Sequence, residues 1–276
     1  VHILLQMMKK ISIDHVTDLK NNMSLDDFTR YSYSDILDLT SINPDCEIEL
    51  QKKEELDYIT IKNFLMYPDD LKKFLVKFPC EDRMMSLEKM GITANVSKAP
   101  GFQQIFSAFY FRNISKFLHQ TLEKNQLCHY EWCTNAWDFY TNCIHSGMKS
   151  YKQNYSPHLD EFNYAANIFL TDVENTGTSF FKFKGLHKEY YDFKSFSKLP
   201  EERENYKQYV TRHIPENEYV TEWPMFEGDQ YFSKYHTIPG EYNSVSMYKG
   251  RYWHSIYFDA TIPDRIRYSL VGVLKK

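Results

Sequence analysis

Two histidines and an aspartate with a particular order and spacing dominate the chemistry this chain could perform. His158-Leu159-Asp160 is followed 96 residues later by His254, and 13 residues further on by Arg267-Tyr268-Ser269. Two imidazoles and one carboxylate can hold a ferrous ion by one face, leaving its other positions open for a cosubstrate and O₂. Arg267 suits a dicarboxylate cosubstrate, because a guanidinium fork pairs with a carboxylate through two parallel hydrogen bonds. On a strand, residues i and i+2 share a face. His158 and Asp160 can therefore point inward together, and so can Arg267 and Ser269. Arg265 has the same parity and is the alternative clamp. The neighbouring Ser269 favours Arg267.

The elements that must position these groups read as mainly β after about Glu131. Ala165 to Leu170 is a short apolar run, and Thr178 to Phe183 resumes an extended pattern after a turn at Glu174 to Gly177. Ser244 to Tyr248 and Arg251 to His254 flank Lys249-Gly250, which has the composition of a two-residue hairpin turn. Arg267 to Leu274 is the last strand. Upstream, Tyr58 to Ile61 alternates like a strand, and Pro68-Asp69-Asp70 opens an amphipathic helix with Leu71, Phe74 and Leu75 on one side. Apolar residues from Gln103 to Glu123 recur with helical period and predict a bracing helix. Asn135 to Tyr140 and Met148 to Tyr155 are expected to be strands leading into the metal motif. The fold class is thus mainly β with a helical N-terminal half, of α+β character. Residues 1–56 read as an N-terminal extension and 57–276 as one domain. Residues 187–222, charged and Tyr-rich with a predicted helix from Pro200 to Val210, form a lid-like insert.

Bulk properties narrow the partners. The chain has 276 residues, 42% hydrophobic and 25% charged, with a net charge of −4. That charge gives no reason to expect nucleic acid or an anionic membrane as partner. A small molecule is the expected substrate, and Arg203, Lys207 and Arg212 of the insert could meet its carboxylates. The five cysteines lack a disulfide or zinc spacing and read as buried thiols. The 22 Tyr and 20 Phe read as core packing rather than as a pocket lining. The opening apolar run is too short to span a membrane, and Lys9-Lys10 follows it rather than a cleavage site. A soluble, cytoplasmic protein is expected, with room for a targeting peptide removed ahead of it.

These residues carry a resemblance. Tyr155-Ser156-Pro157-His158-Leu159-Asp160 resembles the first ligand motif of the prolyl-hydroxylase-like Fe(II)- and 2-oxoglutarate-dependent oxygenases. Asn175-Thr176-Gly177-Thr178-Ser179-Phe180-Phe181 is similar to the Gly-Gly-Thr-x-Phe stretch that follows it there, with Thr176 in place of the first glycine. Asp57 to Leu75 resembles the strand, Asn-Phe-Leu and Pro-Asp helix opening of many such enzymes. The likeness covers about residues 57–276, and its step from His254 to Arg267 is longer than the usual one. It implies a double-stranded β-helix, a jelly-roll barrel braced by helices. It also implies Fe(II) on His158, Asp160 and His254, and 2-oxoglutarate on Arg267 and Ser269, with Tyr155 lining the pocket. The implied reaction uses O₂ to abstract hydrogen from an unactivated C–H bond. Hydroxylation or an oxidative cyclisation like that of the kainoid synthases would follow, on a small amino-acid-derived metabolite. The alternatives are a protein prolyl or lysyl hydroxylase and a non-catalytic module binding metal and keto acid. Because Asp160 is present, a halogenase is not expected.

Overall fold

The computed structural model describes residues 37–76, 81–82, 102–106, 108–128, 136–146, 150–151, 156–160, 162–184, 200–213, 219–220 and 227–275. Its largest element is an antiparallel sheet of eight strands. In spatial order these are β1 (Glu47–Lys53), β2 (Leu56–Lys62), β11 (Ser244–Lys249), β7 (Tyr164–Phe169), β13 (Ile266–Leu274), β5 (Trp137–His145), β4 (Phe102–Phe106) and β3 (Glu81–Asp82). A second, three-stranded sheet has the order β10 (Phe232–Pro239), β8 (Thr176–Phe183), β12 (His254–Phe258). From β7 onward the chain alternates between the two sheets. It places β7 in the large one, β8 and β10 in the small one, then β11, β12 and β13 in the large, small and large sheets in turn. Ser150–Tyr151 (β6) and Tyr219–Val220 (β9) form a separate short pair.

Period-2 alternation gives the large sheet two different faces. Ile59, Ile61, Phe139, Cys143, Ala166, Ile168, Val245, Met247, Tyr268 and Leu270 point one way, into a core shared with two helices. Helix α1 (Pro68–Leu75) contributes Leu71, Phe74 and Leu75, as its amphipathic pattern predicts. Helix α2 (Arg112–Lys124) contributes Ile114, Leu118 and Leu122 at four-residue spacing. Each buried aliphatic of this kind is worth about 1.5–3 kcal/mol. The opposite face turns Tyr58, Ala165 and Tyr248 toward Phe180 and Ile238 of the small sheet. This gives three layers: helices, large sheet, small sheet. β7 is buried along its whole length because it is covered on both sides.

Three expectations are corrected. The segment from Gln103 is not helical from its start: residues 102–106 pair with β5, a 3₁₀ turn follows at Ala108–Phe111, and α2 begins only at Arg112. Short aromatic runs fit both periods, and here strand pairing decides. Strands therefore alternate with helices in the first half of the described chain, rather than helices forming a run. Nor is Lys249-Gly250 a hairpin turn. β11 pairs with β2 and β7, whereas β12 pairs with β8, so the turn carries the chain from one sheet to the other. β1 pairs with β2 throughout. The helix of the insert is longer than predicted, running from Pro200 to His213 (α3). The expected strand from Met148 to Tyr155 falls partly outside the described residues. Cys128 and Cys143 are buried free thiols and Cys46 is half-buried. No helix among the described residues is long and apolar enough to cross a membrane.

Candidate metal centre and anion pocket

His158 and His254 are locked together by the backbone. His158 N–H donates to the His254 carbonyl at 2.9 Å, and His254 N–H donates back to the His158 carbonyl at 3.0 Å. Their rings lie 4.6 Å apart between centroids. Asp160 N–H donates to the Gly250 carbonyl at 2.8 Å, so the turn that crosses between sheets also fixes the carboxylate. That approach has no room for a side chain at Gly250. A Cβ there would lie 2.6 Å from the Phe162 carbonyl oxygen and 3.0 Å from the Asp160 Cβ.

Ligand atoms of His158, Asp160 and His254 all lie within 4.8 Å of one another. His254 Nε2 is 3.0 Å from Asp160 Oδ2, and His158 Nε2 is 3.8 Å from Oδ1. The Nδ1–H of His158 donates to the Ser156 carbonyl at 3.0 Å, and that of His254 to the Tyr252 carbonyl at 2.8 Å. Carbonyls only accept, so these bonds place the lone pair of each neutral ring on Nε2. Two imidazole lone pairs and a carboxylate thus converge as acceptors with no donor of their own among them. A cation, either a proton or a metal ion, must sit there. Burial by itself would lower the His254 pKa, but the charge of Asp160 and its hydrogen bond hold it above the ordinary imidazole value. Burial likewise opposes the charged form of Asp160, yet His254 and then His158 keep its carboxyl below the usual range. The His254 side chain is 5% exposed, against 22% for Asp160 and 39% for His158, so the cluster opens on the His158 side.

Arg267 lies on β13 and is buried. One Nη donates to the Gly177 carbonyl at 3.2 Å, the guanidinium stands 5.1 Å over the Phe169 ring, and Nε has no partner. Among the described residues no carboxylate pairs with it. Burial lowers its pKa to about 10, opposed by the Tyr248 and Tyr140 hydroxyls. The Oγ of Ser269 is also buried without a partner, as is Thr176 Oγ1. Gly177 is held at φ +148°, where a Cβ would lie 2.1 Å from the Ile238 carbonyl oxygen, so glycine is needed to present that carbonyl. Arg265 is elsewhere. It precedes β13 and packs over the Phe258 ring at 5.6 Å.

Three further residues pack beside His254 and were not singled out from the sequence. Tyr248 packs edge-on against His254, 5.1 Å between ring centroids. Its hydroxyl accepts from Asn167 Nδ2 at 3.2 Å, and the same amide reaches Thr178 Oγ1 at 3.4 Å. Burial and the charge of Asp160 push the Tyr248 phenol up to about 12. Alternation alone places Asn167, Thr178 and Tyr248 on strand faces, but only strand pairing brings them together.

Tyr155 lies outside the described residues, so its expected pocket role has no structural account. His119 is buried on α2 beside Cys128 and Glu123, and His236 lies on β10 against Tyr58. Neither joins the cluster. Arg203 and Lys207 are exposed on α3.

Several solved structures are similar in part. A prolyl-4-hydroxylase from Pseudomonas putida matches at 11% identity and TM-score 0.36, over 88% of this chain and 94% of that one. A Trichoplax adhaerens prolyl hydroxylase, in complex with a hypoxia-inducible-factor peptide fragment, matches at 11% and 0.39, over 78% and 82%. The non-haem α-ketoglutarate-dependent epimerase SnoN of nogalamycin biosynthesis matches at 14% and 0.36, over 78% and 76%. No curated protein matches the chain. A family profile does match, over residues 44–265, and on that match the chain belongs to a family of unknown function (DUF6445).

Proposed function

We propose that this protein is an Fe(II)- and 2-oxoglutarate-dependent oxygenase with a double-stranded β-helix fold, acting on a C–H bond of a small amino-acid-derived metabolite. The observation that carries the reading is the convergence of three acceptors, His158, Asp160 and His254, with a buried guanidinium in the same inter-sheet space that lacks an acid. His158 Nε2, His254 Nε2 and an Asp160 oxygen would hold the metal by one face. Arg267 and Ser269, each with a buried polar atom unpaired, would hold the distal carboxylate of the keto acid. When bound, iron and keto acid together supply the oxidising power needed to activate O₂ and break an unactivated C–H bond.

The protein's own share is geometry and exclusion of water. The paired backbone bonds between His158 and His254 set the separation of the imidazoles, and the Gly250 carbonyl aims the carboxylate. Tyr248, held by Asn167, walls the closed side of His254. The exposed face beside His158 is where substrate would enter, and the cations Arg203 and Lys207 on α3 suit a substrate bearing carboxylates. Hydroxylation and ring closure of the kainoid-synthase type are both outcomes such a site could support.

Supplying the protein with Fe(II), 2-oxoglutarate, O₂ and a panel of amino-acid-derived metabolites tests this. Succinate release should depend on one of them. The product mass then tells a gain of one oxygen from a loss of two hydrogens. His158→Ala should abolish both metal uptake and succinate release. Metal uptake without succinate release on any substrate would point to a binding module, and no metal uptake at all would end the proposal.

A further inference from the structure

β1 is the outer strand of the large sheet, and no described strand pairs with its free side. A free edge offers unpaired N–H and C=O groups, which proteins usually blunt with charge. Here the charge is divided by sign along the strand. Glu47 and Glu49 occupy the first half, Lys52 and Lys53 the second. Ile48 and Leu50 lie between them, 41% and 52% exposed, two of the few large apolar side chains that face solvent among the described residues. Their partners Ile61 and Ile59 on β2 are fully buried, so the core stops one strand short of the edge. Neither Glu47 nor Lys53 forms an ion pair with any described residue.

We propose that β1 is a homodimer edge, pairing antiparallel with β1 of a second copy about a two-fold axis at Leu50. In that register Glu47 lies opposite Lys53 twice, Glu49 opposite Gln51 twice, and Leu50 opposite itself. Ile48 lies opposite Lys52, whose aliphatic stem can cover it. Leu50 and Ile48 of the two copies become diagonal neighbours on one face, near enough for side chains to touch. Shifting the axis by one residue weakens this match. Centred on Glu49, the strand puts two glutamates face to face. Centred on Gln51, it keeps Glu49 opposite Lys53 but sets Leu50 against Lys52 and carries Glu47 past the end of the strand, opposite Glu55 of the turn. The Leu50-centred register alone joins the charge match to contact between the exposed apolar side chains, which suits a second copy of this chain.

Sedimentation velocity of the full chain over a concentration series reads this directly. The native protein should dimerise, and more weakly at high salt. Glu47→Lys alone, or Lys53→Glu alone, puts like charges at both ends and should weaken the dimer by about tenfold or more. The double variant Glu47→Lys/Lys53→Glu should restore it to within about threefold. Both positions are exposed, and an unchanged thermal melt shows each variant to be folded. A protein that stays monomeric, or a dimer indifferent to all three variants, overturns the proposal.

Discussion

Arg267 shows how much a single side chain can disclose. A buried guanidinium with an unpaired Nε, one carbonyl bond and an aromatic face costs several kcal/mol to leave without a counter-charge. The fold retains it on the face of the large sheet that meets the small sheet, which makes sense if a carboxylate arrives from outside. Arg267→Ala should raise the 2-oxoglutarate concentration for half-maximal turnover by about 30-fold or more, the lower range for breaking a buried charge pair. Metal uptake measured by calorimetry should be unchanged. Arg267→Lys should fall between, because it keeps the charge and loses the fork. Its proposed role follows from its type and its place after His254, and Ser269 favours it over Arg265. Parity treats the two alike, and the start of β13 at Ile266 separates them.

Among the elements, the turn after β11 does the most for the site. It moves the chain between sheets and brings the Gly250 carbonyl onto Asp160. Gly250→Ala would force a Cβ against the Phe162 carbonyl and the Asp160 Cβ. We expect it to cost about 1–3 kcal/mol of stability and to weaken metal binding by about 10–100-fold, as displaced supporting groups do. A denaturant melt and a metal titration read the two effects separately. An unchanged metal affinity would show that Asp160 is placed by something else. Local sequence could not reveal this job. Lys249-Gly250 has the composition of a hairpin, and nothing within a few residues of it records that its two strands join different sheets. The stretch at 103–123 was misread for a related reason. Ile105 and Phe106 fit a helical face as well as a strand, and the pairing with β5 decides between them.

For the whole molecule, the two sheets are tied at one side by His236 of β10, whose Nε2–H donates to the Tyr58 hydroxyl of β2 at 2.9 Å. Tyr58 in turn donates to Gln51 Oε1 at 2.6 Å. Burial, then the charge of Lys53, holds the His236 imidazole below its ordinary value of 6.5. A lowered folded pKa means the unfolded chain takes up the proton first as pH falls. The stabilisation from neutral His236 is therefore full above about pH 6.5 and is lost as pH drops toward the lower folded value. Urea melts at about pH 7.5 and about pH 5.5, either side of that value, should show a smaller acid loss for His236→Gln than for the native chain. Equal losses would remove His236 from the acid response. The His158, Asp160 and His254 cluster, the strands around it and the α1 face were readable because each depends on local period and residue type. The pocket of Tyr248, Asn167 and Thr178 depends on which strands become neighbours, and no local pattern encodes that.

The two imidazoles keep their spacing through reciprocal main-chain bonds rather than through the side chains around them. Walls and hooks are thus separable parts. Substitutions can repaint the cavity lining for a new guest while the hooks keep their aim. A lineage built this way could change what it processes many times without reinventing how.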